Sequence, residues 1–190
     1  MSLIMERLDL GLPLTVDRIL RATRQLGHSK FYTPHTMPKA EKDELLSFLK
    51  SQSKKIGGYK TKQCYYNSQM LMLNTQHHSV FSDKIKYCEG YWMREGLPIA
   101  IPHAWLIYDD QYVVDVTLTT NNSFDPRDPN LKDRILGMFP NDWEYYGLII
   151  DRAEILGNLL KMGESISFLD DYRIANQRVN DLEKELKSKI

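Results

Sequence analysis

Part-way along the chain the spacing of apolar residues changes from helical to extended, and this change restricts the fold more than any other feature. Pro13 to Leu26 carries Val16, Ile19, Leu20 and Leu26 behind Thr15, a residue type that caps helices, and Gly27 supplies a stop. Ala40 to Lys55 sets Leu45, Leu46, Phe48 and Leu49 among charges and ends before Gly57-Gly58. In Gln63 to Asn74, Tyr66, Met70 and Leu73 fall at i, i+4 and i+7, with Tyr65, Gln69 and Met72 on the adjoining stripe, which predicts a mostly buried helix. Lys84 to Met93, His103 to Tyr108, Gln111 to Leu118 and Tyr145 to Ile150 are instead rich in Tyr, Ile, Val and Trp and are parted by Gly, Pro or Asp. Helical patterns return at Asp151 to Lys161 and Ile166 to Lys187. Helices and strands segregated in this way specify an α+β fold, with an antiparallel sheet packed on a central Cys-bearing helix and flanked by further helices.

At 190 residues the chain is the size of one ordinary domain. A single domain over 1–190 is expected, with a core at 57–150, N-terminal helices in 1–56 and C-terminal helices in 151–190, because neither flank holds enough apolar surface to fold alone. Asn121 to Asn130, with Pro126 and Pro129, reads as a surface loop, and Asn180 to Lys189 as a solvated helix face. Lys plus Arg equals Asp plus Glu at 25 each, so no overall field gathers nucleic acid or an anionic membrane. Nothing approaches the ~20 apolar residues of a membrane span. Glu6, Arg7 and Asp9 interrupt the opening apolar stretch, unlike a signal peptide. With only two cysteines, Cys64 and Cys88, a disulfide scaffold or paired-cysteine zinc site is disfavoured, and a reduced, cytoplasmic protein is expected. His77-His78 are adjacent on a loop, where two imidazoles rarely reach one centre, so no metal is expected.

The residues of thiol nucleophilic catalysis occur in an informative order: Cys64 begins the apolar helix, His103 opens one strand and Asp115 lies in the next. A thiol at a helix N-terminus faces unpaired N–H groups and the positive end of the dipole, both favouring thiolate. His103 and Asp115 flank a candidate hairpin whose tip includes Asp109 and Asp110. If they are directly opposed, the turn is centred on Asp109 and spans Tyr108 to Asp110; a two-residue Asp109-Asp110 turn would send them to opposite faces unless a bulge intervened.

Cys64-Tyr65-Tyr66-Asn67-Ser68, Glu89-Gly90-Tyr91, His103-Ala104-Trp105 and Val114-Asp115-Val116-Thr117 together resemble the transglutaminase-like superfamily, a branch of the papain-like cysteine enzymes. The resemblance covers roughly Gly57 to Ile150. It implies a papain-like arrangement and a Cys-His-Asp triad of Cys64, His103 and Asp115. Two positions depart from the family's habit: Lys62 stands where Gly is frequent, two before the cysteine, and Ser68 where Ala is frequent, four after it. The backbone N–H of Cys64 is a first oxyanion donor, with Gln63 or Gln52 a candidate for the second. Trp105 shares the strand face of His103 and suits a core or pocket wall, while Glu89 is a candidate for the pocket rim.

The expected activity is thiol-dependent acyl transfer on a peptide or side-chain amide, most simply hydrolysis, with a protein or peptide substrate and no cofactor, since the thiol is the covalent catalyst. Transamidation or acyl transfer uses the same triad. A non-catalytic binding or assembly protein retaining the fold is the alternative. Oligomeric state is not legible in the sequence.

Overall fold

The computed structural model of the protein describes residues 30–31, 37–78, 80–94, 101–110, 112–117 and 143–168, with 180, 181, 184, 187 and 188 near the C-terminus. The expected helix at 13–26 and the loop at 121–130 lie outside the described residues. Among the described residues five antiparallel strands form one sheet: β1 (Lys30–Phe31), β2 (Ile85–Arg94), β3 (Ile101–Tyr108), β4 (Tyr112–Val114) and β5 (Trp143–Ile150). Their order is β1-β5-β2-β3-β4, so β2 is central, between β5 and β3. Among the described residues, α1 (Lys39–Lys55), α2 (Cys64–Asn74) and α3 (Arg152–Met162) accompany the sheet. The fold is α+β, with Cys64 opening a helix that lies against β3 and β2. Among the described residues no helix is long and apolar enough to cross a membrane.

α1 buries Leu45, Phe48, Leu49 and Gln52, one stripe at i, i+3, i+4 and i+7. It ends where Gly57 and Gly58 take φ of 75° and 91°, a left-handed region open to glycine at little steric cost. In α2 the buried stripe is rotated from the expected one. Asn67, Ser68, Gln69, Leu71 and Met72 are buried, while Tyr66, Met70 and Leu73 are only half-buried. Three adjacent polar residues go inward because each finds a partner there, which apolar periodicity does not register.

Alternation along β2 and β3 divides the core between the two faces of the sheet. Tyr87, Ala104, Leu106, Tyr108 and Val114 join Leu45, Leu49 and Leu71 on the helix-bearing face. Cys88, Trp92, Trp105, Ile107, Val113 and Tyr145 make a second cluster on the other.

After α3 the chain returns across the sheet rather than continuing as a helix: Ile166–Phe168 is not helical, contrary to the expectation for 166–187, although 180, 181, 184, 187 and 188 are. Glu89 holds this return. It is buried at 1% exposure and accepts hydrogen bonds from Tyr87 Oη (2.9 Å), the Phe168 amide (3.0 Å) and Ser167 Oγ. Gln69 Nε2 extends the network, donating to Tyr87 Oη (3.2 Å) and the Ile166 carbonyl (2.7 Å). A carboxylate within this donor set fits; an amide does not, because its NH2 must face a donor. Glu89→Gln should therefore lower stability by ~1–2 kcal/mol. Urea unfolding checks this, and an unchanged midpoint would show that the clasp contributes nothing.

Candidate active site

The hairpin of β3 and β4 sets the geometry of the site. Asp109 and Asp110 take φ of 50° and 57°, the left-handed pair that a two-residue turn requires. Such a turn alone would put His103 and Asp115 on opposite faces. Instead Tyr108 pairs with Tyr112, leaving three residues, 109–111, in the loop, and the odd count restores a common face. The register differs from the expected one. The turn is centred one residue later than Asp109, and extending the ladder sets Asp115 level with Trp105 and Thr117 level with His103. His103 and Asp115 are thus diagonal neighbours two positions apart, not direct partners. The pairing still closes because the chain leaves the ladder after Val114 and diagonal neighbours lie within reach of a side chain.

The closure is tight. His103 Nε2 lies 2.5 Å from Asp115 Oδ2. Asp115, 1% exposed, also accepts from Tyr145 Oη at 3.1 Å and, through Oδ1, from the Thr117 amide at 3.1 Å. Its carboxylate is therefore held at both oxygens. His103 is 5% exposed. Behind it Trp105 stacks on the imidazole with planes 21° apart, and Trp92 meets it edge-on at 89°.

Cys64 reaches the same place from α2. The helix has no side-chain N-cap and no acidic residue in its first turn, so its N-terminal N–H groups are left for other partners. Asn67, one turn along, fixes the approach to it: Oδ1 accepts from the Lys60 amide at 2.8 Å, and Nδ2 donates to the Lys60 carbonyl at 2.8 Å and to Thr117 Oγ1 at 3.0 Å. The side chain ties the Cys-bearing helix directly to the Asp-bearing strand end. Ser68 Oγ donates to the Ala104 carbonyl at 3.2 Å, tying the same helix to the His-bearing strand. Lys62 has φ of 60°, which accounts physically for glycine being suited to the position two before the cysteine.

Burial is the largest influence on the His103 proton and opposes charge, but the Asp115 carboxylate and its hydrogen bond, together with hydrogen bonding and charge at Cys64, outweigh it and push the ring's pKa up to about 10. With Nε2 committed to Asp115, Nδ1 is the nitrogen left for the thiol. Tyr145 is held well above its usual range by burial and by the same carboxylate, so it stays a neutral donor.

A cavity of about 270 Å³ opens over these groups, lined by Lys62, Cys64, Trp92, Ile101, Pro102, His103 and Thr117. Cys64 and His103 line the same cavity, and His103 is bonded to Asp115; the other candidates separate from them. Trp105 is fully buried behind the imidazole rather than lining the cavity. Glu89 is not at the rim, because it pairs with Ala104 and so points to the face opposite His103, where its hydrogen-bond partners hold it. Gln52 is buried in α1 and does not line the cavity, its Nε2 reaching Ser51 Oγ at 3.3 Å. Gln63 holds the N-cap position with an exposed side chain; its carbonyl accepts the Asn67 amide at 2.9 Å. Cys88 is buried in β2, and His78 packs its ring against Phe48 and Phe81. Among the described residues no group of three or more His, Cys, Asp or Glu side chains is placed to hold a metal ion.

Several contributors escape sequence reasoning. Tyr145 reaches Asp115 only because β5 pairs with β2, a relation between strands distant in sequence for which no local signal exists. Trp92 likewise becomes a site residue through pairing, and Thr117 through the turn that follows β4. Asn67 had a signal: a polar residue one turn past Cys64 on a helix expected to be buried. No family model, curated protein or solved structure matches the chain.

Proposed function

We propose that the protein is a thiol-dependent acyl-transfer enzyme with a transglutaminase-like, papain-like arrangement, and that it hydrolyses peptide or side-chain amides. One observation supports the reading: an imidazole hydrogen-bonded to a buried carboxylate lines the same cavity as a helix-terminal thiol. Cys64 sulfur attacks the carbonyl carbon, and the backbone N–H of Cys64 faces the developing oxyanion. As the tetrahedral adduct collapses, the C–N bond breaks and the His103 proton passes to the leaving nitrogen, giving a thioester and a free amine. His103, now neutral, takes a proton from water as its oxygen attacks the thioester. The C–S bond then breaks, releasing the acid and restoring the thiolate–imidazolium pair. Asp115 fixes the ring's orientation and its charge. Hydrolysis is preferred over transamidation because water needs no site of its own.

Iodoacetamide at neutral pH tests the nucleophile. Cys64 should be alkylated at least ~10-fold faster than Cys88, with His103→Ala lowering that ratio and Asp115→Asn lowering it less, since Asp115 acts through the ring. Cys64→Ser should abolish reaction with amide-directed acyl probes. Peptide mapping that finds Cys88 labelled first, indifferent to His103→Ala, would overturn the assignment in favour of a non-catalytic binding protein.

A further inference from the structure

Lys62 is misplaced by every structural criterion except one. Its φ of 60° is a strained conformation for a side chain bearing a Cβ, where glycine would be unstrained. It immediately precedes Gln63, the N-cap of α2, where the positive end of the helix dipole repels a cation. No hydrogen bond or ion pair offsets these costs among the described residues, whereas neighbouring Lys60 lies over the Tyr66 ring at 4.1 Å. The nearest carboxylate of the site, Asp115, is already engaged by His103, Tyr145 and the Thr117 amide. What Lys62 does have is a place in the wall of the cavity that Cys64 and the apolar surfaces of Trp92, Ile101 and Pro102 also line.

We propose that Lys62 is a specificity residue that receives a carboxylate, so that the preferred substrate is an amide bearing a carboxylate within about one residue of the scissile bond and an apolar portion against Trp92, Ile101 and Pro102. The ammonium and the uncapped α2 N-terminus both favour an anion there. The inference rests on the thiol reading above and names the substrate class for it.

A pair of alkylating reagents of opposite demand tests it on the intact protein. Iodoacetate and iodoacetamide both react by displacement of iodide at sulfur and differ in charge. The ratio of their rates at Cys64 should fall roughly fivefold in Lys62→Met and equally in Lys62→Gly, and persist in Lys62→Arg. Raising the salt concentration should shrink the wild-type ratio towards that of Lys62→Met. The glycine variant relieves the backbone strain while removing the charge, so agreement between the two assigns the effect to charge. An iodoacetate preference unchanged in both variants overturns the role of Lys62 while leaving the nucleophile intact. Failure of both reagents at Cys64, or an iodoacetamide rate indifferent to His103→Ala, overturns the two readings together.

Discussion

Asp115→Asn should move the His103 titration down by at least ~2 pH units from about 10, because the amide removes the charge that opposes burial and leaves only Cys64 to raise the ring. Ring nitrogen and carbon shifts followed by NMR from pH 5 to 11 would show it. A wild-type ring titrating near the ordinary 6.5 would overturn the coupling. Turnover on a responsive amide should fall by ~10²–10⁴-fold, the scale on which loss of the orienting carboxylate acts in such triads. Stability carries the same signature. The folded ring keeps its proton to about 10 and the unfolded ring loses it near 6.5, so the stabilisation is complete below pH 6.5 and is lost as pH rises through about 10. Wild-type urea midpoints should thus decline across that window, and those of Asp115→Asn should decline much less.

Gly147→Ala should cost ~3 kcal/mol or more, at or beyond the upper end for overpacked cores. A Cβ there would stand 2.5 Å from the Glu89 carbonyl oxygen and 2.8 Å from Trp105 Cη2. Neither can retreat. Glu89 is fixed in the ladder between β3 and β5, opposite Ala104 on one side and Leu148 on the other, and Trp105 is fully buried. Trp105 stacks on His103, so displacing it also moves the imidazole. Thermal unfolding and iodoacetamide labelling of the same variant should therefore both change. A melting temperature within a degree of wild type would mean that the contact relaxes freely.

The contrast between α1 and α2 explains what the sequence makes legible. α1 is held by Leu45, Phe48 and Leu49, whose spacing alone predicts the buried stripe. α2 is positioned by Asn67 and Ser68, polar residues buried because their partners come from Lys60, Thr117 and Ala104. Their inward orientation depends on tertiary hydrogen bonds that hydropathy cannot register. Glu89 is the same case at longer range: a strand carboxylate looks exposed until Ser167 and the Phe168 amide arrive from 78 and 79 residues away. The order of Cys64, His103 and Asp115 was readable, and so was the need for an odd loop. The two-position offset of Asp115 was not, because nothing local signals that β4 stops at Val114.

That odd loop gives the tip of the hairpin an unusual kind of constraint. Asp109 and Asp110 are exposed, and their ion pairs with Lys84 and Lys86 lie in solvent, where such pairs contribute little. Charge at the tip is therefore cheap to remove, provided the replacement still accepts the left-handed φ of 50° and 57°. The length of the tip is not cheap to change. Losing or gaining a single residue there reverses the parity of the returning strand, turning Val113 and Val114 inside out and carrying Asp115 to the face away from His103, whereas a change of two residues preserves it. A solvent-exposed loop outside the cavity lining thus acts as a counting device for the site, tolerant of lost charge but not of an odd insertion or deletion.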